Sequence, residues 1–298
     1  MKAPIIVIGG PTASGKTAAA IAMARATGGE IISADSVQVY RHLDIGSAKP
    51  TAAERAMAPH HLIDVVDPDE HFSGGIYQTL ARSKVAEIEA RGNLPIVCGG
   101  TGLYIRSLIR GLFPGPPADE VLRAQLNARE DEAPGYLKMR LLSIDPVAGE
   151  RLHVNDRVRL IRALEVYELT GRTITQHHRE HQLAPPFREH LTYTIMPPKE
   201  ILEERIRRRA AQMLAQGFEE EVRTLLNRGY GPRLRAMQSV GYRQVVEHIE
   251  GSGEDLFEAI VKAHLKYVKQ QRTWFAREGT LIGSPNALPI DEICERLS

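Results

Sequence analysis

Apolar residues gather in short runs over the first third of the chain, "PIIVI", "EIIS" and "LPIVC", and helical patterns follow them. Apolar runs of this length read as buried strands, and their alternation with helices predicts a parallel sheet with crossover helices. The first run leads into "TAAAIAMARA", whose alanines favour a helix, and the third into "GLYIRSLIRGL". Between two proline-rich punctuations, "FPGPPA" and "LAPPFREH", three segments have helical spacing and no strand pattern: "DEVLRAQLNAREDE", "GYLKMRLLSIDPVAGERL" and "NDRVRLIRALEVYELTG". Residues 116–188 are therefore predicted to form a helical insertion, with 1–115 and 189–298 as the core that carries the sheet. "LTYTIM" reads as a returning strand, followed by the helix "KEILEERIRRRAAQMLAQG" with Gly217 near its end, and the last third reads as helical.

Composition narrows the picture without naming a function. At 298 residues and 43% hydrophobic, the chain has material for an ample core in one large domain or two smaller ones. No apolar stretch approaches membrane-spanning length and the start runs straight into the first strand, so a soluble, cytoplasmic protein is expected. The two cysteines, Cys98 and Cys294, fit neither a disulfide framework nor a metal-ligand spacing. A net charge of +1 argues against nucleic-acid binding over the entire surface, but leaves room for local basic patches.

The chemistry begins after the first strand. In "GGPTASGKT", Gly10 and Gly15-Lys16-Thr17 have the Walker A spacing, and the strand before and helix after supply its required context. Gly10 to Thr17 (Gly10, Pro11, Thr12, Ala13, Ser14, Gly15, Lys16 and Thr17) are thus expected to cradle phosphates with backbone amides at a helix start. Lys16 adds a cation, and the Thr17 hydroxyl suits Mg²⁺. The loop alone does not choose among phosphate compounds, and a nucleotide or small-molecule kinase would carry it too. Asp35 follows the second strand, at the sheet edge where ligands collect. It reads as a general base, a metal partner, or simply an N-cap. Gly99, Gly100 and Thr101 repeat the strand-to-helix arrangement, either as a tight turn or as a hydroxyl at the cleft.

These motifs, with "ISADSVQVY", "DIGSAKP", "HHLIDVVDP", "GGTGLYI", "RALEVYELTG", "QSVGYRQ" and "RTWF" in this order, closely resemble the tRNA dimethylallyltransferases, also called tRNA isopentenyltransferases, over residues up to about 277. The resemblance implies a P-loop NTPase-like α/β fold whose loop holds a diphosphate rather than ATP. It implies transfer of a dimethylallyl group from dimethylallyl diphosphate to N6 of the adenosine just 3′ of the anticodon.

By the same resemblance Asp35 takes the amine proton, Lys16 and Arg209 steady the departing diphosphate with Mg²⁺, and Thr12 orients Asp35 or the amine. Arg205 is the other arginine of the pair, while Arg207 and Arg208 read as a solvated face. Contact with the tRNA anticodon stem-loop is implied for Asp35, Ser36, Val37 and Gln38, for Thr101 and Arg123, and for Val158, Arg159, Leu160, Ile161 and Arg162 in the insertion. Gln238, Gly241, Arg243, Lys269 and Trp274 complete that set. Lys262, Lys266 and Lys269 recur at helical spacing as a basic face, and Trp274 reads either as a stacking platform or as core. The chain departs from the family pattern at Gln270, where an arginine is usual, at Ala276, which displaces Arg277, and at Val154 in place of proline. His177, His178 and His181 lack acidic or thiol partners at metal-ligand spacing, so no zinc site is expected. A monomer is expected.

Overall fold

The computed structural model describes residues 3–182 and 185–297; Leu183 and Ala184, in the second proline-rich stretch, lie outside them. The described residues divide into two compact units, one running to Ile109 and resuming at Phe187, the other Arg110–Pro186.

The first unit is built on six strands: β1 (Ile5–Gly9), β2 (Glu30–Ser33), β3 (His60–His61), β4 (Pro95–Gly99), β5 (His190–Ile195) and β6 (Thr280–Ile282). They form one sheet in the order β3-β2-β4-β1-β5-β6, with every neighbouring pair parallel. Ile5, Ile6, Val7 and Ile8 are fully buried because both faces of β1 are covered. Ile5 and Val7 join the core on one face, and Ile6 and Ile8 the core on the other. Helices α1 (Lys16–Thr27), α2 (Ala52–Met57), α3 (Gly74–Ala90) and α4 (Gly102–Ile109) occupy the first half of this unit. The strands "PIIVI", "EIIS", "LPIVC" and "LTYTIM" are where periodicity places them. The last third, read as helical, also contains β6. Its three residues are too few for a period, and pairing of Tyr193–Ile195 with Thr280–Ile282 holds them.

The second unit contains α5 (Glu120–Glu132), α6 (Tyr136–Ile144), α7 (Pro146–Arg151), α8 (Arg157–Thr170) and α9 (Ile174–Gln182). Its own core includes Leu126, Leu137, Leu141, Leu160, Ile161 and Leu164. The boundaries differ from the expected 115/116 and 188/189 for local reasons. Phe113 stacks on His177 with ring centroids 5.2 Å apart, and Arg162 donates to Pro116 O at 2.9 Å, so the entry segment belongs to the insertion. On return, Phe187 N–H donates to Ile109 O at 2.7 Å and its ring lies under Arg82, so Phe187 and Arg188 belong to the sheet unit.

The sheet unit is completed by α10 (Lys199–Ala215), α11 (Phe218–Asn227), α12 (Tyr242–Ile249), α13 (Leu256–Phe275) and α14 (Ile290–Leu297). Among the described residues no helix is long and apolar enough to cross a membrane.

Candidate active site

The loop between β1 and α1 takes its shape from three residues in the left-handed region, Gly10 (φ 143°), Ala13 (φ 64°) and Gly15 (φ 95°). Space also restricts it. A Cβ on Gly10 would stand 2.4 Å from the Ile195 carbonyl oxygen, and one on Gly15 2.9 Å from Pro285 Cγ. Lys16 and Thr17 open α1, where first-turn amides lack a carbonyl four residues earlier in the helix and the dipole favours an anion. Pro11 has no N–H to offer. The Thr12 N–H is also engaged, donating to Gln271 Oε1 at 2.9 Å, so neither residue adds a free amide to the cradle. Ser14 Oγ is buried with no partner among the described residues.

Lys16 Nζ donates to the Pro11 carbonyl at 2.7 Å. Burial lowers the Lys16 pKa to about 8, although Cys98 and Asp35 pull it upward. On α10, Arg205 and Arg209 stand one turn apart on the same side of the helix. Arg205 donates to the Ala13 and Ser14 carbonyls at 3.3 and 3.4 Å and so braces the loop from outside the pocket. Arg209 lines the pocket itself, its Nε enclosed without a partner among the described residues. Burial lowers its pKa and the nearby Asp35 opposes that shift. Arg207, ion-paired to Glu258, and Arg208 lie on the exposed face.

Asp35 supports both readings of its sequence position. Its Oδ1 accepts from the Val37 and Gln38 amides at 2.8 and 3.2 Å, a local turn cap. The side chain nonetheless lines the same pocket as Thr12, Lys16, Thr17 and Arg209. Gln38 is oriented by Ser33 Oγ, which donates to its Oε1 at 3.1 Å, and lines the pocket as well. Thr101 Oγ1 accepts from the Ser36 amide at 3.0 Å, which ties the β4–α4 loop to the turn after Asp35.

Two pocket residues had no role in the sequence reading. His60 lines the pocket, its Nδ1 2.8 Å from the Ala58 carbonyl. A carbonyl only accepts, so Nδ1 carries the proton and Nε2, buried and unpartnered among the described residues, is the free acceptor. Burial lowers its pKa. Cys98 is the second, its thiol pushed up to about 11 by burial. Both stand within motifs, "HHLID" and "IVCGGTG", but only the sheet order brings them beside the phosphate loop.

The other expected contact residues divide sharply. Leu160 and Ile161, expected to contact the tRNA, have their side chains buried in the insertion's core. Arg123 and Arg162, both expected to contact the tRNA, pair with the buried Glu165. Val158 and Arg159 are exposed. In the sheet unit, Arg243 and Lys269 are exposed, as are Lys262 and Lys266. Gln238 is exposed, with Nε2 donating to the Pro232 carbonyl at 2.7 Å, and Gly241 starts α12 with φ 92°. Trp274 falls between its two readings: half-buried, it packs where a Cβ on Gly102 would come within 2.4 Å, with Arg106 over its ring. His177 and His178 pack against Phe113, and no cluster of metal-binding side chains occurs among the described residues.

Similarity to known proteins runs along most of the chain. The IPP transferase family model matches residues 38–278, and the isopentenyl transferase model matches residues 3–64. The chain belongs to the IPP transferase family. Curated relatives include the tRNA dimethylallyltransferase of Syntrophobacter fumaroxidans, 47% identical over 91% of this chain and 80% of the relative. That of Sorangium cellulosum is 48% identical over 91% and 87%. The solved tRNA isopentenylpyrophosphate transferase of Bacillus halodurans is 35% identical with TM-score 0.70, covering 99% of this chain and 94% of its own. A eukaryotic dimethylallyltransferase described as acting on tRNA reaches TM-score 0.79 at 26% identity, over 99% and 77%. These likenesses favour an IPP transferase over the kinase that the loop alone permits.

Proposed function

We propose that the protein transfers a dimethylallyl group from dimethylallyl diphosphate to N6 of the adenosine 3′ of the anticodon, acting as a cytoplasmic monomer. The observation that carries this reading is the meeting of Asp35, Lys16 and Arg209 around one pocket at the carboxyl ends of β1, β2 and β4. The adenine amine is a weak nucleophile because its lone pair is delocalised, so a base that removes its proton as the bond forms is useful. Asp35 is that base. N6 attacks the allylic carbon, the carbon–oxygen bond breaks with its electron pair leaving on diphosphate, and the N6 proton passes to Asp35. Lys16, Arg209 and the α1 amides then meet the growing negative charge.

The donor set suits a hard cation only in a limited way. Thr17 offers a hydroxyl in the pocket, and no three carboxylate, histidine or thiol side chains are placed to hold a metal ion together among the described residues. Mg²⁺ binds readily through substrate phosphates with few protein ligands. Thr17 would hold it together with the diphosphate, and the ion would supply charge neutralisation to the leaving group.

For RNA, exposed Lys262, Lys266, Lys269 and Arg243 in the sheet unit and Arg159 in the insertion provide the cationic contacts. The target base must be extruded from its stack to reach Asp35. Incubation of the protein and Mg²⁺ with hydrocarbon-labelled dimethylallyl diphosphate and an anticodon stem-loop tests the proposal. Label on adenine N6 supports it, whereas phosphate transfer from ATP without prenylated adenosine would defeat it.

A further inference from the structure

Gln271, on α13, is a polar side chain only 5% exposed inside a largely apolar core. Its two amide atoms serve two different loops. Oε1 accepts from the Thr12 N–H of the phosphate loop at 2.9 Å, and Nε2 donates to the Gly100 carbonyl after β4 at 2.9 Å. The Gly100 backbone comes so close that a Cβ there would lie 2.6 Å from Nε2. One turn earlier on α13, Tyr267 lies near both Gln271 and Thr101. Donor and acceptor are both required at the tip of this side chain, and a primary amide supplies both without a charge.

Thr12 lines the pocket with Asp35, and Thr101 adjoins Gly100 and holds the Ser36 amide. The two loops that Gln271 joins therefore both border the pocket that Asp35 lines. We propose that Gln271 is a positioning residue of the transfer reaction: it sets the phosphate loop in register with the β4–α4 loop, and so fixes the diphosphate relative to the Asp35 carboxylate. This rests on the transferase reading above. Misplacement by about an ångström costs on the order of 10²-fold in rate.

The test compares full-length wild type with Gln271→Met and Gln271→Glu. Three quantities are measured: thermal unfolding, inorganic diphosphate affinity by calorimetry without RNA, and kcat and KM for both substrates. Gln271→Met keeps the length and loses both contacts. A kcat lowered on the order of 10²-fold, weaker diphosphate binding and an unchanged KM for the stem-loop are expected in a folded protein. Gln271→Glu keeps the acceptor for Thr12 and loses the donor to Gly100 until it is protonated. Its kcat relative to wild type should therefore recover as pH falls. Tyr267, the ionisable side chain nearby, stays protonated over that range because burial raises its pKa to about 12.

Wild-type kcat and diphosphate affinity in Gln271→Met would overturn the proposal. So would a kcat ratio for Gln271→Glu that does not change with pH, which decides the matter if the methionine variant fails to fold. Diphosphate binding is read without RNA, so a wild type that binds diphosphate but moves no prenyl group would sink the transferase reading separately.

Discussion

Arg123 donates through Nε to Oε1 of Glu165 at 2.8 Å, and the glutamate side chain it meets is fully buried within the helical insertion. Arg162 donates to the other oxygen at 2.5 Å, and the Asp119 amide to Oε1 at 2.8 Å. Burial alone would raise the Glu165 pKa, but the hydrogen bonds from Arg123, Arg162 and Asp119 outweigh it and hold the carboxyl below its ordinary range. Removing one arginine leaves a buried carboxylate short of donors, a loss of roughly 1.5–3 kcal/mol. Arg123→Ala should therefore lower the urea midpoint of the insertion. Arg159, exposed and paired among the described residues with Asp156 alone, at 3.3 Å, should behave in the opposite way. Its alanine variant should unfold normally while the salt slope of stem-loop binding falls by about one unit. Normal stability of Arg123→Ala would return that residue to direct RNA contact.

Asp35→Asn separates the two jobs of this side chain. An amide oxygen still accepts from the Val37 and Gln38 amides, so the turn should survive. The amide cannot take the N6 proton, and kcat should fall about 10²- to 10⁴-fold with both substrates still bound. Arg209→Ala should also lower kcat, because it removes a cation that meets the charge growing on the departing diphosphate, and should leave stem-loop affinity largely intact. Steady-state kinetics on the two variants checks both, and near-normal turnover of Asp35→Asn would remove it as the base.

The phosphate loop, Asp35 and the strands before them were legible because their signals are local: fixed spacing of glycine and lysine, and apolar runs of strand length. What sequence alone could not supply is which distant residues complete those motifs. Glu221 illustrates the difference. From α11 it accepts from the Asp44, Ile45 and Gly46 amides at 3.0, 2.7 and 3.3 Å, and from the Tyr242 hydroxyl at 2.7 Å. "DIGSAKP" is thus anchored by a residue far along the chain, and a Cβ on Gly46 would come within 2.1 Å of the Phe218 ring. The arginines of α8 show another limit of the sequence. Helical spacing groups Arg159 and Arg162 together, but only packing reveals that Glu165 claims one of them.

Glu30, at the start of β2, should set part of the acid stability of the sheet unit. The Arg91 hydrogen bonds, with smaller help from Asn93 and His61 and against a burial penalty, lower its pKa from 4.5 to about 2. A folded-state value below the unfolded one adds stability above the unfolded pKa, and that stability is lost as pH falls from about 4.5 towards 2. The Glu30 side chain is only 6% exposed, although Arg91 is about half exposed and screens part of the contribution. Glu30→Gln should be less stable at neutral pH and should show a shallower decline in melting temperature below about pH 4.5. Parallel melting curves for variant and wild type across that range would remove Glu30 from acid unfolding.

Lys16 makes diphosphate binding depend on pH from the alkaline side. In the free protein burial holds its pKa near 8, so the amine is charged below that value and increasingly neutral above it. A diphosphate at the loop favours the charged form and raises the pKa of the complex. Below about pH 8 the proton is already present and affinity should not depend on Lys16 ionisation. Above it, binding must first take up a proton, and affinity should fall about tenfold per pH unit until the pKa of the complex is reached. Inorganic diphosphate has ionisations of its own, so the quantity to follow is the ratio of wild-type affinity to that of Lys16→Met, in which the solute's contribution cancels. Calorimetry in two buffers of different ionisation enthalpy counts the proton directly. Uptake approaching one proton above about pH 8, absent in Lys16→Met, is the expected result. A ratio that stays constant through pH 9 would mean that the ammonium keeps its charge despite burial, and that Lys16 is not what makes this pocket sensitive to alkaline pH.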